Sequence, residues 1–416
     1  MGRVTFNRLM ANQTSSAPSG ASRSEPPATR PGRFGQRFLI YQIAAWLTLL
    51  VLTIGHPFAT AGVLLVCAYV TVPAVLLFQW RGWPFYPGAL FRIVVVRAVI
   101  YAQLVLPIVA GAALLGIIVG AFVHAPLIGG RWAAAVTLGL AAVTLFAGYV
   151  GSLTLAVREI EARIESLPPG LDGLRIVQIS DLHVGPQTPR WFLSRVRRAV
   201  ESLRPELIAA TGDLVDDRSE DVAHYAAAFA SLRAPLGVFA VAGNHDVYAG
   251  WDAVERELQS QTGMSVLVNE SRMVERNGAR LTVAGVGDPA GRGRRPGGGG
   301  MSRVAPDVAR SLAAAPRDVP ILALAHNPAL WPELVAAGVT LTLSGHTHWG
   351  QFALPGVGWS LVTPFLEHAM GAYREGTSLL YVHPGTGYWG IPFRIGARPA
   401  VTAIVLKCSA ETAIVE

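Results

Sequence analysis

The chain has little cysteine, little lysine and little charge of either sign. Its 416 residues include two cysteines, and 15% of the residues are charged. Cys67 lies within an apolar run and Cys408 near the C-terminus, which excludes a disulfide framework and a cysteine metal site but leaves the redox compartment undecided. Lys407 is the single lysine, so the net charge of +7 comes almost entirely from arginine. With 51% hydrophobic residues, this composition is apolar for a soluble protein and indicates a membrane component.

The arginines near the N-terminus indicate which kind of partner the positive charge serves. A basic balance fits either nucleic acid or an anionic membrane surface. Six arginines precede the first hydrophobic segment, which favours the membrane: Arg3, Arg8, Arg23, Arg30, Arg33 and Arg37. Residues 1–36 are rich in Ser, Pro, Arg and Gly, so we expect a disordered basic tail rather than a signal peptide.

Four apolar stretches follow this tail, at residues 38–55, 59–79, 98–123 and 132–156. Each is close to the ~20 residues that a helix needs to cross the hydrocarbon of a bilayer. Tryptophans stand at their edges, where amphipathic rings prefer the membrane interface: Trp80, Trp83 and Trp132. Buried core helices are the alternative, but four nearly uncharged segments in a row predict a transmembrane region of four helices over residues 37–157.

The short loops between these segments predict the orientation of the protein. Arg81, Arg92 and Arg97 lie between the second and third spans, whereas the loop after the third span carries only Arg131. Because positive residues remain cytoplasmic, both the N-terminal tail and the C-terminal domain are expected to face the cytoplasm.

From residue 158 to residue 416 the composition becomes globular and indicates an α/β domain. Short apolar runs alternate with polar loops and helix-like stretches. The runs are Leu174–Ile179, Leu207–Ala210, Val238–Ala242, Ile321–Ala325 and Val339–Leu343, and the helices are expected at 190–203, 219–232 and 250–261. Asn277–Gly278 predicts a hairpin turn, and alternation at Ile160, Ala162 and Ile164 predicts a strand. The segment Pro289–Arg303 is expected to be a flexible loop.

Each of the five apolar runs ends in residue types that bind metals. The clusters are Asp181-Leu182-His183, Gly212-Asp213, Gly243-Asn244-His245-Asp246, His326 and Gly345-His346-Thr347-His348. Because loops at the ends of neighbouring strands converge at one edge of a sheet, these side chains are expected to meet. A set of oxygen and imidazole ligands without thiolate favours Mn, Fe, Zn or Mg. Two such ions need a bridging carboxylate, and Asp213 is the natural one.

These motifs, in this order, resemble those of the calcineurin-like metallophosphoesterase superfamily over roughly residues 170–408. The resemblance implies a β-sandwich flanked by helices and two divalent metal ions. It implies that one ion is held by Asp181, His183, Asp213 and His348, and the other by Asp213, Asn244, His326 and His346. It also implies that His245 is the catalytic histidine and that Asp246 orients it.

The phrase from Leu171 to His183 and the ending from Gly385 to Arg394 resemble a membrane-attached bacterial branch of phosphohydrolases, some of which act on lipid-linked pyrophosphates. The resemblance implies an integral membrane enzyme that hydrolyses a phosphodiester or pyrophosphate. We expect an amphiphilic phosphate as the substrate, because the strand at Ile176 begins only about twenty residues after the fourth span. The alternatives are a non-catalytic membrane scaffold or sensor with this fold, and a nuclease, although no nucleic acid partner is expected.

Overall fold

A computed structural model describes residues 33–79, 88–293 and 303–415 of the chain. Several predictions fall outside these residues: disorder for positions 1–32 of the tail, the loop residues Trp80, Arg81 and Trp83, and most of the loop before Arg303. The last four positions of the predicted tail, residues 33–36, belong to the first helix.

The N-terminal region is helical. Its helices are α1 (Arg33–Val51), α2 (Pro57–Gln79), α3 (Ala89–Phe91), α4 (Arg97–Ala121) and α5 (Pro126–Leu153). A π-helical segment, Arg92–Val96, joins α3 to α4 without a break. Among the described residues, three segments are long and apolar enough to cross a membrane: Pro57–Leu76, Ala89–Ala121 and Pro126–Leu153.

The prediction of four spans therefore holds clearly for three of them. The apolar part of α1, Arg37–Val51, is shorter than the other three segments. At 1.5 Å per residue it covers about 22 Å, less than the ~30 Å of bilayer hydrocarbon. The predicted bounds also shift, because α5 begins at Pro126 and includes Arg131, which the sequence placed in a loop. Two residues, Thr154 and Leu155, separate the end of α5 from the first strand.

The C-terminal domain contains two large sheets. Its strands are β1 (Ala156–Ile164), β2 (Arg175–Ile179), β3 (Leu207–Ala210), β4 (Val238–Ala240), β5 (Ser265–Val266), β6 (Glu270–Arg276), β7 (Ala279–Gly285), β8 (Ile321–Leu324), β9 (Leu341–Ser344), β10 (Ala353–Leu354), β11 (Trp359–Ser360), β12 (Gly371–Glu375), β13 (Ser378–Val382), β14 (Ala400–Cys408) and β15 (Ala413–Val415). One sheet has the order β15-β1-β14-β2-β3-β4-β5 and the other β12-β13-β9-β8-β7-β6. Strands β10 and β11 form a separate pair.

Helices cover the outer faces of both sheets. They are α6 (Arg190–Ser202), α7 (Val222–Phe229), α8 (Asn244–Tyr248), α9 (Trp251–Gln261), α10 (Val308–Ser311) and α11 (Trp331–Ala336). One core lies between the two sheets and contains, for example, Ile176 of β2 and Leu322 of β8. A second core lies beneath α6, α7 and α9, with residues such as Val196 and Trp251. The prediction of an α/β domain, with two facing sheets flanked by helices, is confirmed.

Parallel pairing brings the ligand-bearing strand ends together. Strands β2, β3 and β4 are parallel neighbours, and so are β7, β8 and β9. All five predicted apolar runs lie on strands, and β3 has the predicted bounds. The hairpin turn is also confirmed, since Asn277 and Gly278 both have positive φ and join β6 to β7.

The helical region contacts the C-terminal domain beside these strand ends. Arg97 donates to Gln187 Oε1 at 3.0 Å and to the Tyr388 hydroxyl at 2.8 Å. At the end of α5, Gly148 accepts a hydrogen bond from the Arg394 amide at 2.8 Å. The segment Ala89–Ala121 has 33 residues, or about 50 Å of helix, which is longer than the ~30 Å of bilayer hydrocarbon.

Candidate metal centre

The loops after β2, β3 and β9 have an unusual backbone. Five of the seven predicted metal ligands have positive φ: Asp181, His183, Asp213, His346 and His348. Residues other than glycine rarely adopt this left-handed region, and such strain collects at functional sites. The backbone at these positions is therefore held by the surrounding structure, not by local preference.

Glycines allow these loops to approach one another closely. A Cβ at Gly243 would lie 2.2 Å from Asp213 Oδ1, and a Cβ at Gly345 would lie 2.3 Å from Asp181 Oδ2. Gly212 has a φ of +86° and lies against the Gly243 backbone and the His326 ring. The glycines that precede Asp213, Asn244 and His346 thus permit contacts that any side chain would block.

Four of the predicted ligands meet at the ends of β2, β3 and β9. The Nε2 atoms of His183 and His348 lie 3.0 Å apart. His348 Nε2 lies 3.4 Å from Asp181 Oδ1, and His183 Nε2 lies 3.5 Å from Asp213 Oδ2. Ligand atoms of Asp181, His183 and His348 all lie within 4.8 Å of one another, as a group that could hold a metal ion.

The remaining ligands lie on the other side of Asp213. Its Oδ2 atom is 3.3 Å from His326 Nε2, so the same oxygen faces histidines of both groups. His346 Nδ1 lies 2.8 Å from Asn244 Oδ1. Asp181, Asp213 and His326 form a second group with ligand atoms within 4.8 Å of one another. The structure therefore brings all seven predicted ligands to one place, with Asp213 in the middle.

The buried polar atoms of this site fit divalent cations. Asp181 Oδ2 and His326 Nε2 are buried, and neither has a hydrogen-bond partner among the described residues. His326 Nδ1 lies 2.8 Å from the Thr211 carbonyl oxygen, which fixes the tautomer that leaves a lone pair on Nε2. Such unsatisfied atoms are costly unless an ion binds them. Metal binding is usual for this combination of oxygen and imidazole donors.

Electrostatics divides the histidines into two classes. Burial lowers the pKa of His346 to about 4 and holds that of His348 well below its usual range, so both rings are neutral near pH 7. Burial acts in the same direction on His326, but the negative charge of Asp213 outweighs it and raises the His326 pKa. Burial would raise the Asp213 pKa, yet the charges of His326 and His183 hold it below its usual range.

The two residues of the predicted catalytic pair, His245 and Asp246, make different contacts in the structure. The Asp246 carboxylate accepts hydrogen bonds from the backbone N–H groups of Leu214, Val215 and Gly243 at 2.9–3.1 Å. It therefore fixes the loops after β3 and β4. His245 Nδ1 instead lies 2.9 Å from the backbone carbonyl oxygen of Asp216. The contact that we expected Asp246 to make with the ring of His245 is thus replaced by the Asp216 carbonyl.

Comparisons with known proteins identify the family. Residues 174–350 match the model of the calcineurin-like phosphoesterases. An uncharacterized metallophosphoesterase of Aquifex aeolicus is 32% identical over 254 residues, which are 61% of this chain and 92% of that protein. The chain belongs to the calcineurin-like phosphoesterase family. Membership implies a metal-dependent hydrolase of phosphoesters.

Two vertebrate relatives have names that describe them as transmembrane proteins. Each is a "transmembrane protein with metallophosphoesterase domain". The protein of Danio rerio is 36% identical over 60% of this chain and 57% of its own length. The protein of Bos taurus is 33% identical over 64% of this chain and 61% of its own length. The chain thus aligns with about three fifths of these two calcineurin-like phosphoesterases.

Sequence reasoning missed two residues of this phosphoesterase site. Asp216 Oδ1 lies 3.5 Å from His183 Nδ1, and its signal was the acidic pair three residues after Asp213. Arg394 is 1% exposed and donates to His348 Nδ1 at 2.8 Å and to the His348 carbonyl oxygen at 3.0 Å. Arg394 ends the C-terminal segment that resembles the bacterial branch, but no local sequence pattern predicted its contact with His348.

Apolar side chains line part of the pocket of the site. Val362, Leu366 and Trp389 line the pocket that also contains the metal-site histidines. Exposed apolar residues also occur on the segment that leads to Leu366, and we call them, together with Leu366 and Trp389, the apolar rim: Leu354, Val357, Leu361, Phe365, Leu366 and Trp389. Phe365 is 82% exposed and Val357 74% exposed. Gln351, which also lines the pocket, exchanges hydrogen bonds with the Trp389 backbone at 3.0 and 3.1 Å.

Proposed function

We propose that this protein is a membrane-anchored, dinuclear metal-dependent phosphoesterase that hydrolyses a phosphodiester or pyrophosphate bond. The observation that carries the proposal is the convergence of six ligand-type side chains around a seventh, Asp213, whose Oδ2 atom faces His183 at 3.5 Å and His326 at 3.3 Å. In the proposed arrangement one ion is held by Asp181, His183, Asp213 and His348, and the other by Asp213, Asn244, His326 and His346.

The protein side chains would perform distinct tasks in this reaction. Two bound divalent ions supply activation of a water and neutralisation of charge on the phosphoryl oxygens. His245 lines the pocket and uses Nδ1 on the Asp216 carbonyl, which directs Nε2 toward the substrate. In its imidazolium form, His245 would donate a proton from Nε2 to the departing oxygen. Asp246 keeps the loops of Asp213 and His245 in register through its three backbone hydrogen bonds.

Two substitutions test this assignment in the full-length, detergent-solubilised protein. Asp213→Ala is expected to lose activity and most bound metal, because it removes the oxygen shared by both ligand groups. His245→Ala should keep its metals and lose turnover by about 10²- to 10⁴-fold. The assays are metal analysis and hydrolysis of phosphodiesters, lipid pyrophosphates and single-stranded DNA with Mn, Fe, Zn, Mg or no metal.

The control is His56→Ala, because this exposed histidine precedes α2 and lies outside the site. Two ions bound in Asp213→Ala would contradict the bridging role. Full metal occupancy without hydrolysis of any substrate would favour the scaffold or sensor, and preferential DNA cleavage would favour the nuclease.

We also propose four membrane helices, with α1 as the fourth, and a division into residues 1–36, 37–157 and 158–416. Packing of α1 on its neighbours supports this, since Trp46 donates to Thr71 of α2 at 3.0 Å and Gln42 donates to Gln103 of α4 at 2.6 Å. An even number of spans places the N-terminal tail and the catalytic domain on the same side. Arg92 and Arg97 lie at the domain end of α4, and the positive-inside rule makes that side cytoplasmic.

An amphiphilic phosphate is the proposed substrate class. The apolar rim supports this, because its residues Leu366 and Trp389 line the pocket and Trp389 is linked to the helical region: it follows Tyr388, whose hydroxyl accepts from Arg97 at 2.8 Å. Exposed apolar groups of this kind favour contact with acyl chains or the membrane interface. A phosphate carried on a lipid would thus reach the metal site with its apolar part against the rim.

Replacing the rim's most exposed side chain tests this substrate class. Phe365→Asp is expected to reduce hydrolysis of a lipid phosphate in mixed micelles and to spare hydrolysis of a water-soluble aryl phosphodiester. Met273→Asp is the matched control, because Met273 is also an exposed apolar residue but lies on β6. Equal losses on both substrates, or no cleavage of any lipid phosphate, would overturn the amphiphile proposal.

A further inference from the structure

Arg92 lies at the junction between the membrane helices and the catalytic domain. It begins the π-helical segment that joins α3 to α4, and it is 9% exposed. Its Nη1 atom lies 3.1 Å from Asp216 Oδ2, and its Nη2 atom lies 2.9 Å from Asp217 Oδ2. Burying a guanidinium is costly unless it is paired, and π-helical segments are frequent at functional sites. Arg92 is thus paired with an aspartate, Asp216, that also contacts the metal site.

Asp216 connects this arginine to two histidines of the site. Its Oδ1 atom lies 3.5 Å from His183 Nδ1, while His183 Nε2 faces Asp213 and His348. Its backbone carbonyl oxygen lies 2.9 Å from His245 Nδ1. A histidine with one nitrogen toward a metal site and the other toward a carboxylate is oriented by that carboxylate. Arg92 in turn holds the carboxylate from its far side.

We propose that Arg92 is a positioning residue for the metal site, acting on His183 and His245 through Asp216. The helix that anchors the protein would then be part of the catalytic apparatus. This inference rests on the proposed metallophosphoesterase function. An arginine suits the task because its planar fork can fix the direction of the Asp216 carboxylate, which a lysine ammonium does not do with fixed geometry.

The competing explanation is that Arg92 only docks the helix on the domain. Arg97 is an example of a residue that docks the helix without contacting Asp216. Arg97 also joins α4 to the domain, but through Gln187 and Tyr388 rather than Asp216. A residue that only docks the helix would act independently of Asp216. A residue that acts through Asp216 would lose its effect once the Asp216 carboxylate is removed.

A double-mutant cycle on the full-length protein separates these explanations. The variants are Arg92→Ala, Asp216→Asn and the double variant, with Asp217→Asn and Arg131→Ala as controls. Asp217→Asn removes the other ion pair of Arg92, and Arg131 binds the carbonyl oxygens of Leu52 and Ile54 at the opposite end of the helices. The readouts are the affinity for Mn²⁺ alone and kcat on an aryl phosphodiester.

Arg92→Ala is expected to reduce Mn²⁺ affinity or kcat by about 10- to 100-fold, as loss of such an outer partner does. The double variant should be no worse than Asp216→Asn, and both controls should remain close to the unaltered protein. The proposal would be overturned if the losses caused by Arg92→Ala and Asp216→Asn multiplied in the double variant. It would also be overturned if Arg92→Ala left both Mn²⁺ affinity and kcat unchanged.

Two provisions keep the test decisive. If Arg92→Ala does not fold, Arg92→Lys replaces it, with a smaller loss expected and unchanged Mn²⁺ affinity and kcat as the contradicting result. If the unaltered protein hydrolyses no phosphoester, the proposed function fails, but Mn²⁺ affinity still decides whether Arg92 acts through Asp216.

Discussion

Substituting Gly243 by alanine is expected to disturb the metal site from the backbone side. The new Cβ would lie 2.2 Å from Asp213 Oδ1 and 2.3 Å from the Asp213 amide nitrogen. Ordinary van der Waals contact requires a separation larger by about 1 Å, so the loop after β3 or the loop after β4 must move by that amount. Neither loop can yield by rotating a flexible side chain, because the nearest contacts include the Asp213 backbone.

The magnitude follows from this displacement. Misplacing a reacting group by about 1 Å costs on the order of 10²-fold in rate, and overpacking a buried site costs about 1–3 kcal/mol of stability. We therefore expect Gly243→Ala to lose about 10²-fold in kcat/KM on an aryl phosphodiester and to bind less metal. Gly263→Ala is the control, since its Cβ would meet only Arg233 side-chain atoms at 3.5 Å and beyond. Unchanged kcat/KM and metal content in Gly243→Ala would refute the reasoning.

Three further predictions concern the ligands, the buried arginine and the topology. The His183 and His326 pKa values are raised by their carboxylate neighbours in the metal-free protein, despite burial. Both rings therefore hold a proton more tightly than a free histidine does, and calorimetry should show proton release with Mn²⁺ and weaker Mn²⁺ binding as pH falls. Arg394→Met should destabilise the protein by about 3 kcal/mol or more, seen as a lower thermal midpoint, because it strands the carbonyl oxygens of His348 and Ala397. Reporters fused at either terminus should both behave as cytoplasmic, and an external C-terminus would contradict the charge rule.

The sequence predicted the parts of the site that follow from local patterns. Short apolar runs located the strands that carry the motifs, and β3 has the predicted bounds of Leu207–Ala210. Convergence of Asp181 and Asp213 followed from the parallel pairing of β2 with β3, whereas His326 follows β8 and reaches the site from the other sheet. The glycines before Asp213 and His346 signalled close approach, and a Cβ at Gly212, Gly243 or Gly345 would indeed lie 2.0–3.1 Å from neighbouring atoms.

The parts that the sequence did not predict depend on packing between distant segments. Arg92 and Asp216 are separated by 124 positions, so no local pattern relates them. Arg92 was read only as a cytoplasmic charge. The family resemblance implied that Asp246 orients His245, yet helix α8 turns the Asp246 carboxylate toward the backbone of the neighbouring loop. The end of the first span was predicted too late, at residue 55, because the apolar residues Leu52 and Ile54 follow the end of α1 at Val51.

The short connection after α5 has a consequence for the reach of the active site. Thr154 and Leu155 alone separate α5 from β1, and Arg97 holds the same domain from α4. A domain attached at two such points neither swings nor rotates freely relative to α4 and α5, so in the proposed membrane protein the height of its mouth above the lipid headgroups would be fixed. Each residue inserted between α5 and β1 would raise one side of the domain by up to about 3.3 Å and tilt the mouth. Activity should therefore depend on the length of the headgroup that separates a phosphate from the bilayer. It should fall for phosphates that lie nearer to or farther from the bilayer than this height.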